Sequence, residues 1–182
     1  VWLPEGVRVC SDPSPREFFR QAVPDGEGGV IVVWTDHRSG RVDIYAQRIG
    51  PSGQAVWPAS GVAVSTTPDD CVYPSVAGDG SGGIIVAWQQ GHDPSGAVLL
   101  QRIGQDGQIR WTQQGVSPAQ SAGQRHPVLT GDGSGGAVVV WSTSGTGRMT
   151  AQRIDRDGAP VWGVDGVEVA EGSSAGGFPR VC

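Results

Sequence analysis

The sequence predicts an all-β protein assembled from repeats of a four-stranded antiparallel unit. Three observations carry this. A set of short motifs recurs three times at nearly constant spacing along the 182 residues. Each copy contains a short, continuous apolar run bounded by glycine-rich turns. No window shows a helical period with caps, and 30 glycines with 13 prolines disfavour long helices. The apolar runs, about five residues as in 30–34, fall far short of the roughly 18–20 that cross a bilayer as a helix.

The repeat is read directly from the residues. Asp25-Gly26-Glu27-Gly28-Gly29 returns as Asp79-Gly80-Ser81-Gly82-Gly83 and as Asp132-Gly133-Ser134-Gly135-Gly136. Each Asp stands nine residues before a tryptophan: Trp34, Trp88 and Trp141. Gln-Arg-Ile follows at 47–49, 101–103 and 152–154. Then, in steps of four residues, come Gly53, Gly107 and Gly158; Trp57, Trp111 and Trp162; and Gly61-Val62, Gly115-Val116 and Gly166-Val167. Trp2 and Gly6-Val7 supply a fourth copy of the last step.

Each unit reads as four strands. The first is expected near 73–77 and 126–130. An Asp-Gly turn follows, a strong hairpin signal, expected to be a tight type I′ turn. The second strand is the apolar run at 30–34, 84–88 and 137–141; unbroken hydrophobicity means that both faces are covered. The third runs 43–49, 97–103 and 149–154, and a glycine turn leads to the fourth, around 61–65 and its equivalents.

A unit of about 50 residues whose middle strand is buried on both sides cannot cover its own faces, so neighbouring units must do it. Four antiparallel strands of this kind describe the blade of a β-propeller. The predicted organisation is one repeat domain, 1–182: an edge strand at 4–10, full units at 19–65, 73–119 and 126–170, and an edge strand at 178–182. We number these units 1 to 3. Three blades are fewer than the four to eight that usually close a ring. The chain is therefore expected either to self-associate into a complete propeller or to be part of a longer one. It begins at Val1 and reads as a mature or excised form.

The pattern resembles a propeller-like repeat of secreted bacterial proteins, DGxGGxIVxWxDxRxGxxDIYAQR. Unit 1 matches nearly throughout, with Trp34, Asp36, Arg38, Gly40, Asp43, Ile44, Tyr45, Ala46, Gln47 and Arg48. Unit 2 has Gln90 and His92 where Asp36 and Arg38 stand, and unit 3 has lost the pair and is two residues shorter there. The resemblance implies an extracellular propeller and assigns no catalytic residues.

Charge narrows the partners. The net charge is −5, all 13 basic residues are arginine, and lysine and asparagine are absent. This removes lysine chemistry and N-glycosylation sequons. An acidic chain without a basic stripe is a poor partner for nucleic acid or an anionic membrane. Cys10, Cys71 and Cys182 are too few for an even disulfide framework.

The candidate sites divide unevenly between structure and chemistry. Ser81 sits in a segment like a protease nucleophile motif, but the segment recurs with Glu27 in its place, so a turn is expected. Each turn offers one carboxylate, apart from Asp25 with Glu27 in the first, too few for calcium. No metal and no cofactor are expected, and His37, His92 and His126 fall at unrelated repeat positions. Asp36, Arg38 and Asp43 read as a structural ion-pair group. One member of each Gln-Arg pair should face a sheet interface and be hydrogen-bonded there. The tryptophans nearer the outer edge, Trp57, Trp111 and Trp162, are the candidates for stacking on a glycan ring. The expected function is a noncatalytic extracellular binding or scaffold module, lectin-like in its ligand. The alternative is a sialidase-like glycoside hydrolase, which needs carboxylates, arginines and usually a tyrosine at one central site, or a noncatalytic part of a larger secreted enzyme.

Overall fold

The computed structural model describes residues 6–11 and 20–170. These contain eleven strands and no helix. In chain order they are β1 (Arg20–Pro24), β2 (Val30–Asp36), β3 (Asp43–Ile49), β4 (Val62–Ala63), β5 (Cys71–Gly78), β6 (Ile84–Gln90), β7 (Ala97–Ile103), β8 (Gln124–Gly131), β9 (Ala137–Thr143), β10 (Met149–Ile154) and β11 (Val167–Ala170). They form three open antiparallel sheets, each a simple meander: β1-β2-β3-β4, β5-β6-β7 and β8-β9-β10-β11. The second and third strands are where the apolar runs and the Gln-Arg-Ile motifs place them.

The fourth strand is the weakest part of the expectation. In unit 2 it shrinks to a single bridge between Leu100 and Val116. Pro118 follows two residues later, and a proline has no N–H to extend a ladder. Residues 6–10, expected within the edge strand 4–10, form no strand. The end of this segment lies against unit 1, Cys10 Sγ standing 3.8 Å from Ser60 O and the next residue, Ser11, donating its N–H to Ala59 O at 3.0 Å. The edge strand expected at 178–182 lies outside the described residues.

The sheets pack face to face. Side chains alternate along β6, so Ile84, Val86 and Trp88 join a core with Ile31, Val33, Ile44 and Ala46 of unit 1. Ile85 and Ala87 point the other way, into a core with Ala137, Val139, Trp141 and Ile154 of unit 3. This is the physical content of the unbroken apolar run: each strand face meets a different neighbour. The first strands also meet one another, β5 packing against both β1 and β8.

Each unit is closed by the same ion pair. Asp79 Oδ1 accepts the N–H groups of Ser81 (2.8 Å) and Gly83 (2.9 Å). Its Oδ2 accepts Arg102 Nε at 3.0 Å and Nη2 at 2.9 Å. Asp25 with Arg48 and Asp132 with Arg153 repeat the arrangement. The expected two-residue type I′ turn is thus corrected to a five-residue loop. Gly26 and Gly28 take positive φ in it while the residue between them does not, because the aspartate draws two amides inward. The last glycine of the loop has its own reason: a Cβ on Gly83 would stand 2.3 Å from Ile103 O.

Candidate functional site

The glutamines of the Gln-Arg pairs, Gln47, Gln101 and Gln152, are completely buried. Gln101 Nε2 donates to Thr112 O at 2.6 Å, and its Oε1 accepts Trp111 N–H at 3.2 Å and Arg102 N–H at 2.9 Å. Gln47 and Gln152 do the same with Trp57 and Trp162. The glutamine pins the outer segment, which has few ladder bonds of its own, to the third strand.

The arginine of each pair reaches the next unit. Arg48 Nη1 donates to Gln105 O at 3.4 Å, and Arg102 Nη1 to Arg156 O at 3.3 Å. The outer tryptophans use the same two carbonyls: Trp57 Nε1 donates to Gln105 O and Trp111 Nε1 to Arg156 O, each at 3.0 Å. A third link joins the first strands, where Val76 N–H donates to Gln21 Oε1 and Leu129 N–H to Ser75 Oγ, each at 3.1 Å. These three links recur at equivalent positions in both inter-unit contacts.

The three glycan-stacking candidates therefore have different surroundings. Trp57 is buried at 5% exposure and presents no open ring face; Trp111 is half-buried, and Trp162 is 41% exposed. Val64, 1% exposed in unit 1, has as its equivalent in unit 3 Val169, 55% exposed. Of the three rings, Trp162 is the most exposed and Trp57 the least.

Of the Asp36, Arg38 and Asp43 group, Asp36 and Arg38 form an ion pair, while Asp43, opposite Asp36 in the ladder, is bonded to Ser39 instead. Asp36 accepts Trp34 Nε1 at 3.0 Å and Arg38 N–H at 2.9 Å, and pairs with the Arg38 guanidinium. Burial pushes the Asp36 carboxyl up, but the donors of Arg38 and Trp34 outweigh it and hold the group below the usual carboxylate range. The Arg38 guanidinium lies over the Tyr45 ring, 4.0 Å from its centroid, and Nη1 donates to Ser60 O at 2.8 Å. Asp43 sits beside Arg41 at 3.7 Å.

Ser81 is exposed on its loop. Cys10 and Cys71 are buried, and burial pushes the Cys71 thiol up, away from thiolate chemistry. Among the described residues, no group of three or more His, Cys, Asp or Glu is placed to hold a metal ion.

Sequence reasoning missed one feature. Tyr73 and His126 occupy equivalent first-strand positions, both with positive φ (53° and 51°). They meet edge to face at 4.7 Å between ring centroids. The register of β5 and of β8 slips there, and a left-handed non-glycine residue carries strain. The signal was a shared Tyr-Pro or His-Pro step, Pro74 and Pro127. Burial, and then Arg125, hold the His126 imidazole below its ordinary pKa.

A scan against protein-family models and a search of curated proteins both give no match.

Proposed function

We propose that the chain is a segment of an extracellular β-propeller, working as a noncatalytic binding or scaffold module. The single observation that carries this reading is the repetition of the inter-unit links. The Trp57–Gln105, Arg48–Gln105 and Gln21–Val76 contacts between units 1 and 2 return as Trp111–Arg156, Arg102–Arg156 and Ser75–Leu129 between units 2 and 3. The same contact therefore joins each unit to the next, with the first strands packed together, and on this reading the operation is a rotation. Repeated, such a rotation generates a ring with the first strands at its axis.

The noncatalytic half of the reading rests on how the polar residues are used. The recurring aspartates, arginines and glutamines satisfy loop amides and hold units together. The half-exposed Trp162 and the Val167 and Val169 beside it form, on this reading, the face that receives a further unit, supplied by a second copy or by more of the same chain.

Sedimentation equilibrium at micromolar concentration tests the assembly, with a dimer or larger species expected. A sharply melting monomer overturns it. A glycan array beside a panel of fluorogenic glycosides tests the activity class. Turnover abolished by one point substitution would replace the binding module with a hydrolase.

A further inference from the structure

Two clefts open at equivalent positions of the repeat. One, of about 910 Å³, lies on unit 2 and is bounded by Gln90, Leu99, Gln114, Gly115 and Ser117, with Asp69 and Asp70 of the linker before the unit. The other, of about 350 Å³, lies on unit 3 and is bounded by Thr143, Thr150, Asp165, Gly166 and Glu168, with Ser121 of its own preceding linker. Counted from the shared tryptophans and glutamines, the five unit residues of one cleft are the counterparts, in the same order, of the five of the other. In unit 1 the position is occupied from within. There the Arg38 guanidinium lies over Tyr45, the counterpart of Leu99 and Thr150, paired with Asp36 and donating to Ser60 O at 2.8 Å.

Two features of the lining recur although the residues do not. Each cleft holds a loose, exposed pair of a carboxylate and a nitrogen group. Asp70 Oδ2 stands 3.6 Å from His92 Nε2, and Glu168 Oε2 stands 3.4 Å from Arg148 Nη1, both longer than a normal hydrogen bond. A hydroxyl group suits such a pair, since it donates to the carboxylate and accepts from the nitrogen at once. Each cleft also has a carboxylate anchored by backbone. Asp70 Oδ1 accepts Val42 N–H at 2.9 Å, and Asp165 Oδ1 accepts those of Gln120 and Ser121 at 3.0 and 3.1 Å. These carboxylates are oriented before any ligand arrives, with the second oxygen left to accept. Around them stand the Gln114 amide in unit 2 and the hydroxyls of Thr143 and Thr150 in unit 3, none of which has a hydrogen-bond partner among the described residues.

We propose that the two clefts are equivalent subsites for a single neutral polysaccharide, with sugar hydroxyls bridging Asp70 to His92 in unit 2 and Glu168 to Arg148 in unit 3. Leu99 is the largest apolar side chain in either wall, so neither cleft suits a ligand held by apolar burial. The repetition suits a polymer: a chain that presents the same groups at intervals engages two sites one unit apart together. Carboxylates outnumber cations in both clefts, Asp69 and Asp70 beside His92 and Asp165 and Glu168 beside Arg148, which disfavours a uronate or sulfated chain. The inference rests on the binding-module reading, to which it gives a ligand class, but not on the number of units in the assembly.

The test is native electrophoresis through gels containing galactomannan, xyloglucan, mixed-linkage β-glucan, alginate or gelatin, with retardation against polymer concentration giving a Kd. At least one of the three neutral polysaccharides is expected to retard the chain, and alginate and gelatin to leave it unretarded. His92→Ala and Arg148→Ala change side chains that are 74% and 60% exposed, so each should leave the melting temperature within about 2 °C. Each should weaken retention about tenfold or more, and the two together should abolish it. Retardation by none of the three neutral polymers, equal retardation by alginate or gelatin, or retention that survives the double substitution overturns the proposal. Retention by gelatin, or of the double variant by a polysaccharide, would uphold a binding module while removing the clefts as its site, so the two readings fail separately.

Discussion

The indole of Trp57 lies so close to Gly107 that a Cβ added there would stand 2.9 Å from Cδ1 of the ring. The two residues are fifty positions apart and belong to different units. Trp111 and Gly158 repeat the contact, with a Cβ 3.1 Å from Cγ. Glycine is required here twice over, since Gly107 has a φ of +79°. The tryptophan of one unit and the glycine four residues before the next tryptophan are the two halves of one joint.

Gly107→Ala should therefore be costly, about 2–4 kcal/mol from left-handed strain plus overpacking. Gly133 has a similar φ of +74° but open space around it, so Gly133→Ala should cost only about 1–2 kcal/mol. Urea denaturation of the two variants measures the difference. Equal losses would mean that the Trp57 contact contributes nothing.

Gln101→Leu keeps the size of the side chain but removes three hydrogen bonds. The amides of Trp111 and Arg102 and the carbonyl of Thr112 lose their partner in the interior. A loss of about 3 kcal/mol is expected, read as a lower melting temperature. A melt that does not move would show the outer segment to be held by other contacts.

Acid should loosen the loops. Burial pushes the Asp132 carboxyl up, but the N–H groups of Ser134 and Gly136 and the Arg153 guanidinium bring it down to about 2. The folded value lies below the unfolded one, so the stabilisation is complete above about pH 4 and is lost as pH falls towards 2. Allowing for solvent screening, about 1–2 kcal/mol should disappear over that interval. Asp132→Asn should lower stability at neutral pH and flatten this slope, as followed by urea melts from pH 5 to 2. An unchanged slope would assign the acid sensitivity elsewhere.

Tryptophan substitutions should separate the joint from the open face. Trp57→Ser empties a buried site and should cost about 3–5 kcal/mol. Trp162→Ser removes an exposed ring and should leave the melting temperature within about 2 °C while reducing self-association in sedimentation equilibrium. Association unaffected by Trp162→Ser would move the assembly surface elsewhere.

Much of this architecture is legible in the residues because its causes are local. A turn aspartate, an apolar run and a Gln-Arg-Ile strand follow one another within about 25 residues, and their period alone places the second and third strands. The alternation of Ile84, Ile85, Val86 and Ala87 between two cores follows from strand geometry once the run is recognised. The fourth strand was less legible, because it pairs over only two residues in unit 1 and a single bridge in unit 2, while the segment before it is held by side-chain bonds from Gln47, Gln101 and Gln152.

What the tertiary structure alone decided is which partners the polar and aromatic residues find. The sequence aligns Asp79 with Asp25 and Arg102 with Arg48, but does not say that each aspartate takes the arginine 23 residues later. Trp57, Trp111 and Trp162 are the same residue at the same repeat position, yet one is buried, one half-buried and one open. Their exposure depends on whether a neighbouring unit lies against them, a property of packing that no residue encodes by itself. The replacement of Asp36 and Arg38 by Gln90 and His92 is visible as two letters. That it opens a cleft follows only from the folded chain, where His92 turns to solvent and Asp69 and Asp70 border the space beside Leu99.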